Sequence, residues 1–426
     1  MAPSSLSSAG LPSPRTKSPV LFSEPPTPST EFEDILEPDI QLPRNHQQVL
    51  VTGGLGFIGS HTSLELLKAG YNIIIIDNLT NSYQHVFDHI LLAAKLHHAQ
   101  TGTICPEAEL CIADYRDIPV LSVLLSRYSV TENDVRRCAV FGVVHFTAYK
   151  EVGESIRHPL KYYQNNALGL LDFLSLLSEH HIKIFIFSSS ASVYGNLPES
   201  TNSQREEDCV HEREFYIDPR TGHQVRTDQG CTGITNPYGR SEFFAEAILS
   251  DFSKSDPSWT VLALRYFNPI GCDPSGLLGE DPKVSGSNLF PAAMRVLMGD
   301  ASELSIYGSD WDTPDGSAIR DFIHVTDLAK GHIAALSAAQ TGCVQPAFRT
   351  FNLGTGMGHS VFEVVRALKH ACGRDIPVQC VQRREGDVGF SVAVPQRAAR
   401  ELGWKTELSL EEACVDAWNY ITARNS

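Results

Sequence analysis

No CxxC pair occurs among the ten cysteines of this 426-residue chain, no basic run interrupts it, and no apolar stretch outgrows a strand. Each absence excludes something. Cysteines at 105, 111, 138, 209, 231, 272, 343, 372, 380 and 414, without paired spacing or an apolar signal segment at the start, read as reduced thiols of a cytosolic, cytoplasmic protein. Fifty acidic against 34 basic residues give a net charge of −16, which argues against nucleic acid and against an anionic membrane surface as partners. The longest apolar stretches, IIII at 73–76 and IFIF at 184–187, fall far short of a membrane span. No metal is expected either, because His85 and His89 stand at helical spacing with no third ligand nearby and read as a solvated helix face.

The length admits one large domain or two moderate ones with ample core. Half of the first thirty residues are Ser or Pro and acidic EFEDILEPD follows at 31–39, so residues 1–46 are expected to be a disordered tail. Ser13, Ser18 and Thr27 each precede proline and would suit a proline-directed kinase, although a passive tail is the favoured reading. The tail lacks the Arg-rich, acid-poor character of a mitochondrial presequence.

Ordered structure is expected from VLVTGGLGFIGSHTSLELLKAG, residues 49–70, which reads as strand, glycine turn, helix and glycine C-cap. Gly53, Gly56 and Gly59 allow a sharp turn, close approach to a pyrophosphate and tight helix–strand packing. The next strand, YNIIIIDN at 71–78, ends on Asp77, whose carboxylate suits ribose hydroxyls and repels a 2′-phosphate, favouring NAD over NADP. AVFGVVHF at 139–146, KIFIFSSS at 183–190 and TVLALRYFN at 260–268 continue the rhythm, with helical stretches such as ALGLLDFLSLLSE between them.

That alternation predicts an α/β fold: a doubly wound parallel Rossmann sheet with a smaller C-terminal α/β substrate domain. The expected division is an NAD-binding domain over 47–267 with a return segment near 320–355, and a substrate-binding domain over 268–319 and 356–426. Ligands bind beyond the carboxyl ends of such strands, where this sequence puts Asp77, Asn78, Thr147, Ala148, Lys150, Ser188 to Ser190, Tyr266 and Asn268. FNLGTGMGHSV at 351–361 also shows strand, glycine turn and helix, but no strand with an acidic end follows, so it reads as a turn only.

In TNPYGRSEF at 235–243, Asn236 can cap a helix and Pro237 suits its first turn, which stacks Tyr238 and Glu242 on one face. With TGGLGFIGSHT, DNLTNS, HFTAYKEVGES, SSSASVYG, NPYGRSE, RYFNPIG, GEDP, IRDFIHVTDLAKGH, NLGTG and RREGDV in this order, residues 48–424 resemble UDP-glucose 4-epimerase, an extended short-chain dehydrogenase/reductase. The resemblance implies bound NAD, a UDP-hexose substrate and a homodimer. It implies that Gly53, Gly56, Phe57, Ile58 and Gly59 cradle the pyrophosphate, that Asp77, Asn78 and Asn81 hold the adenosine side, and that Asp114 and Tyr115 flank adenine. Phe146, Lys150, Asn166 and Tyr266 would complete the cofactor site. Ser190, with Ser188 and Ser189 beside it, would bond the substrate 4-OH, and Tyr238 would act as acid and base. Asn268, Asn288, Leu289, Arg320, Arg384 and Asp387 match the nucleotide-sugar positions, and guanidinium forks independently suit a diphosphate. The implied reaction is a transient oxidation at C4, with hydride returned to the opposite face of the keto-sugar. Ser391, small at a position that helps decide whether N-acetylated sugars fit, implies use of UDP-N-acetylglucosamine as well.

One departure stands out, since the family pattern has lysine at position 242, bonded to the nicotinamide ribose and lowering the tyrosine pKa. A carboxylate there would reverse the sign. At about 5 Å and an effective dielectric near 20 a unit charge contributes ~3 kcal/mol, so reversal is worth up to ~6, or some four pKa units on the phenol. No other tyrosine has lysine four residues on, and Arg240 points to another face. The insert REEDCVHEREFYIDPRTGHQVR at 205–226 offers a lid, a cation or a passive loop, the last favoured. Three readings follow: a UDP-hexose 4-epimerase, a silent NAD and nucleotide-sugar binder with a regulatory role, or a nucleotide-sugar dehydratase. The dehydratase ranks last, because SSS at 188–190 offers hydroxyls where that chemistry needs carboxylates.

Overall fold

The computed structural model describes residues 47–132, 135–196, 203–218, 221–227, 230–231, 233–283 and 288–424. The tail expected over 1–46, with Ser13, Ser18 and Thr27, lies outside the described residues.

Seven strands make the main sheet: β1 (Gln48–Thr52), β2 (Asn72–Asp77), β3 (Ala108–Ile112), β4 (Val140–His145), β5 (Ile184–Ser190), β6 (Thr260–Tyr266) and, far along the chain, Phe348–Leu353. From one edge the order is Phe348–Leu353, β6, β5, β4, β1, β2, β3, every neighbour parallel. The order reverses direction between β1 and β4, which opens a crevice at their carboxyl ends. Helices cover both faces, so the central strands are buried on both sides and the sequence shows runs such as IIII instead of alternation. Val49, Val51, Ile73 and Ile75 face one core, and Leu50, Ile74 and Ile76 face the other.

Three helices position the functional residues. Phe57–Lys68 (α1) follows the glycine turn, and its close seating depends on Gly59, where an added Cβ would lie 2.2 Å from the Gly53 carbonyl oxygen. Gly169–Glu179 (α2) packs under β4 and β5. Pro237–Ser255 (α3) begins as its sequence predicts, with the Asn236 side chain accepting from the Gly239 N–H at 2.9 Å and proline in the first turn.

Beyond β6 the backbone turns out of the main sheet at Phe267, and Asn268–Ile270 pairs in parallel with Ile319–His324 in a smaller sheet. Gly358–Ser360 joins this sheet antiparallel and Phe390–Ser391 parallel. The strand Ile319–His324 therefore belongs to the small sheet, although the expected return segment began near 320. Only the helix Val325–Gln340 and the strand Phe348–Leu353 go back to the large one.

The insert is anchored at its root. Gln204 exchanges main-chain bonds with Val392 and Val394, and Arg397 gathers Glu206, Glu207 and Glu214. The hairpin Phe215–Ile217/Gln224–Arg226 is the exposed part.

Candidate active site

At the dinucleotide end, Gly56 caps α1 without a side chain to engage the first-turn N–H groups, which point toward the crevice. A Cβ added at Gly56 would meet only the Gly53 carbonyl oxygen, at 3.4 Å, and otherwise project into open space above the helix end. This bare, positively polarised terminus fits a pyrophosphate. Phe57, Ile58 and Gly59 supply that first turn. Asp77 stands at the end of β2 as predicted. Its Oδ2 accepts from the Leu55 N–H at 3.0 Å, and its Oδ1 from the Leu79 N–H at 2.9 Å and the Ser82 hydroxyl at 2.7 Å. The carboxylate therefore also braces the glycine loop. Asn78 donates to Asp114 at 3.1 Å, and Arg116 grips the same carboxylate and holds it down at about 2. Asn81 lies exposed beyond them.

Tyr115 is corrected by the structure. Its ring is buried in the core against His145 and Phe173, and its hydroxyl bonds the Asn165 carbonyl, so only main chain is left to flank a base. The glycine turn 354–358 is likewise no phosphate loop. Asp321 takes the N–H groups of Thr355 and Gly356 at 2.8 and 2.9 Å, and Thr355 Oγ1 takes that of Met357 at 3.0 Å, so these three are spent within the protein.

Strand alternation sorts the three serines at the end of β5. Ser188 donates to the Tyr266 hydroxyl at 2.9 Å, and Ser190, whose Oγ accepts from the Ser192 N–H at 3.1 Å, opposes the rise that burial imposes on the Tyr238 phenol. Ser189 points to the opposite face and donates to Glu246 Oε1 at 2.5 Å, so its side chain is not part of this gathering. Burial raises the Tyr238 and Tyr266 phenols, and Glu242 adds to both.

Glu242 lies inside this pocket. It is 1% exposed, its Oε2 has no hydrogen-bond partner, and its Oε1 receives only a long bond from Asn166 Nδ2, at 3.4 Å. Desolvation, and then the charge of Glu246, push its carboxyl well above the ordinary range. Burial thus favours the neutral acid over the carboxylate and weakens the sign reversal that a charged Glu242 would impose. Asn166 is saturated by Tyr149, Asn165, Ser241 and Glu242 and works as the clamp of this pocket.

Behind this face lies a charge cluster that the sequence reading did not foresee. Arg265 forms a fork on Glu246, at 2.9 and 2.5 Å, with both side chains wholly buried. Glu246 also accepts from His211 at 2.8 Å, and Arg265 keeps it far below the usual carboxylate range despite burial. The signal for Glu246 was its position two turns past Tyr238 on the same helix face. Arg265, in a strand buried on both faces, had no legible partner.

At the sugar-nucleotide end, Arg320, Arg384 and Asp387 come together. Burial lowers the Arg320 guanidinium while Asp387 opposes that shift, and burial raises the Asp387 carboxyl. The Arg384 guanidinium stacks 3.6 Å over Tyr307. Arg320 is aimed by bonds to the Ile319 and Val388 carbonyls at 2.9 and 2.6 Å. Lys150 pairs with Glu280 at 3.7 Å, and Asn288, next to Leu289, donates to the same carboxylate at 2.9 Å, so Glu280 ties cofactor-side to substrate-side residues. Phe146 packs against His332, and Asn268 opens the small sheet. Ser391 is buried and donates to Gln204 Oε1 at 2.9 Å, which places an insert residue beside the expected acetamide position. Among the described residues no His, Cys, Asp and Glu cluster fits a metal ion.

The strand order, the glycine turn and the Ser190–Tyr238 pairing define the class: a short-chain dehydrogenase/reductase type of Rossmann protein. The chain belongs to the NAD dependent epimerase/dehydratase family, whose profile matches residues 49–354, and within it to the UDP-glucose 4-epimerases. It is 43% identical over 376 residues to the UDP-glucose 4-epimerase of Dictyostelium discoideum, covering 88% of this chain and 95% of that one. The Homo sapiens UDP-glucose 4-epimerase is 41% identical over 378 residues, covering 88% and 96%. The crystal structure of the Bifidobacterium longum UDP-glucose 4-epimerase in complex with NAD+ and UDP superposes with a TM-score of 0.74 at 39% identity, covering 89% of this chain and 99% of that one.

Proposed function

We propose that this chain interconverts UDP-glucose and UDP-galactose at C4 with a resident NAD. The observation that carries the proposal is the buried Tyr238 phenol beside Ser190, at the carboxyl end of a sheet whose first crossover bears a bare glycine-capped helix terminus. NAD, when bound, supplies the hydride acceptor that takes and returns the C4 hydride. Tyr238 takes the 4-hydroxyl proton and gives it back, and Ser190 orients that hydroxyl. Asn166 and neutral Glu242 shape the pocket beside the nicotinamide ribose. Arg320 and Arg384 neutralise the diphosphate, and Asp387 fixes their geometry. The tyrosine lacks an adjacent lysine, so the proton step runs slowly in this chain.

The reading includes N-acetylated substrates, supported by the small Ser391, with Gln204 as the neighbour that must accommodate the acetamide. It includes a homodimer, supported by the bare leucines Leu160, Leu168 and Leu171 and by Phe244, which are 71, 56, 45 and 44% exposed on neighbouring helices. A cytoplasmic setting is supported by the absence of any disulfide among the described cysteines. No described helix is long and apolar enough to cross a membrane.

The test is conversion of UDP-galactose to UDP-glucose by the native protein and by Tyr238→Phe, with bound NAD measured in both. A loss of about 10²–10⁴ in rate with NAD retained is expected. No native turnover above that of Tyr238→Phe, with NAD bound, would instead favour the silent binder. Undetectable N-acetyl turnover beside active glucose chemistry would remove the wider substrate range.

A further inference from the structure

Two thiols meet at the root of the insert. Gly230 donates its N–H to the Val210 carbonyl at 2.8 Å in an isolated antiparallel bridge, and that register sets Cys209 directly opposite Cys231. Directly opposed residues hold their Cβ atoms about 4.5–5.5 Å apart, and a disulfide needs about 3.5–4.5 Å, so a small closing movement separates the two states.

Their surroundings differ in the way a paired redox site requires. Cys209 is wholly buried against Val193, Tyr194 and Phe267, whereas Cys231 sits half-buried at the edge of the same cluster. Cys231 Sγ also contacts the Val193 carbonyl oxygen at 2.9 Å, in the turn that follows Ser190. One sulfur is reachable and the other is shielded. Accessible thiols with thiolate character are the ones that attack, and a buried neighbour resolves the adduct.

We propose that Cys209 and Cys231 form a dithiol–disulfide site that reacts with a small soluble disulfide such as oxidised glutathione. The Cys231 thiolate attacks one sulfur of the oxidant, forms a mixed disulfide and releases one glutathione thiolate. Cys209 then loses its proton and attacks Cys231 Sγ, expelling the second glutathione thiolate. Two protein thiols are oxidised, one disulfide is reduced to two thiols, and the two protons end on the two glutathiones. The bond closes a loop over residues 209–231 and ties the root of the insert to the segment that leads into Tyr238. Nothing in this step uses the epimerase chemistry, so it stands or falls independently of the proposed activity.

The experiment treats the full chain with oxidised glutathione, alkylates the remaining thiols, and maps peptides by mass spectrometry with and without reductant. A Cys209–Cys231 cross-linked peptide that disappears on reduction is expected, while exposed Cys343 and Cys380 take single adducts and report that the oxidant acted. Proteolytic nicking inside the insert should leave fragments joined until reductant is added. Cys209→Ser should trap a glutathione adduct on Cys231, and Cys231→Ser should leave Cys209 alkylatable only after unfolding. Recovery of both cysteines as free thiols in the folded native protein, after Cys343 and Cys380 have reacted, would overturn the proposal. This native mapping decides even if a serine variant does not fold.

Discussion

Replacing Glu242 by lysine tests the electrostatics of the site most directly. The native carboxyl is buried, half of it is without a hydrogen-bond partner, and its pKa is driven well above the ordinary range by desolvation and by Glu246. The neutral form that burial favours places little charge on Tyr238, so the departure costs chiefly the absence of one cation. One unit charge at about 5 Å and an effective dielectric near 20 is worth ~3 kcal/mol, or about two pKa units on the phenol. Glu246, already paired to Arg265, lies close enough to give the new ammonium a favourable neighbour. Glu242→Lys should therefore convert UDP-galactose to UDP-glucose roughly 10²-fold faster than the native chain near neutral pH, with the basic requirement moved about two pH units lower. The assay is a coupled rate measurement across pH on protein whose bound NAD has been quantified. A folded, NAD-loaded lysine variant no faster than the native chain would refute the argument. A gain near 10⁴ would refute its central step, since that size requires a charged native Glu242.

Other expectations concern stability and cofactor retention. The folded-state pKa of Glu242 is raised, so the stability it confers is fully present below about 4.5, its ordinary value, and is lost as pH rises toward the folded pKa. Glu242→Gln removes that dependence, and its stability relative to native, read from urea midpoints, should climb with pH above 4.5 by up to about 1.4 kcal/mol per unit. A flat difference would mean the acid is ionised in the fold. Arg265→Met strands Glu246 without its buried partner and should cost about 3–5 kcal/mol in denaturant unfolding; Arg265→Met with Glu246→Gln should recover much of it. Gly59→Ala drives a Cβ into the Gly53 carbonyl oxygen, 2.2 Å away, and should cost about 1–3 kcal/mol and release NAD on purification, measured by the nucleotide content of the denatured protein.

The chain by itself determined the large sheet, because strands buried on both faces and amphipathic helices write their periods locally. It also determined the glycine turn, Asp77 at the end of β2, and the cap that sets Tyr238 in the first turn of its helix, since each depends on neighbours in sequence. Which face a residue serves was decided by the tertiary structure. Strand alternation turned Ser189 away from Ser188 and Ser190 toward Glu246, and core packing claimed the Tyr115 ring. The membership of the strand Ile319–His324 in the small sheet depended on the turn at Phe267, which carries no local signature. The protonation of Glu242 could not be read from its letter, because a carboxyl pKa is set by the water and charge that the fold removes or supplies. Only when distant segments close around that helix does the residue become a buried acid instead of a carboxylate.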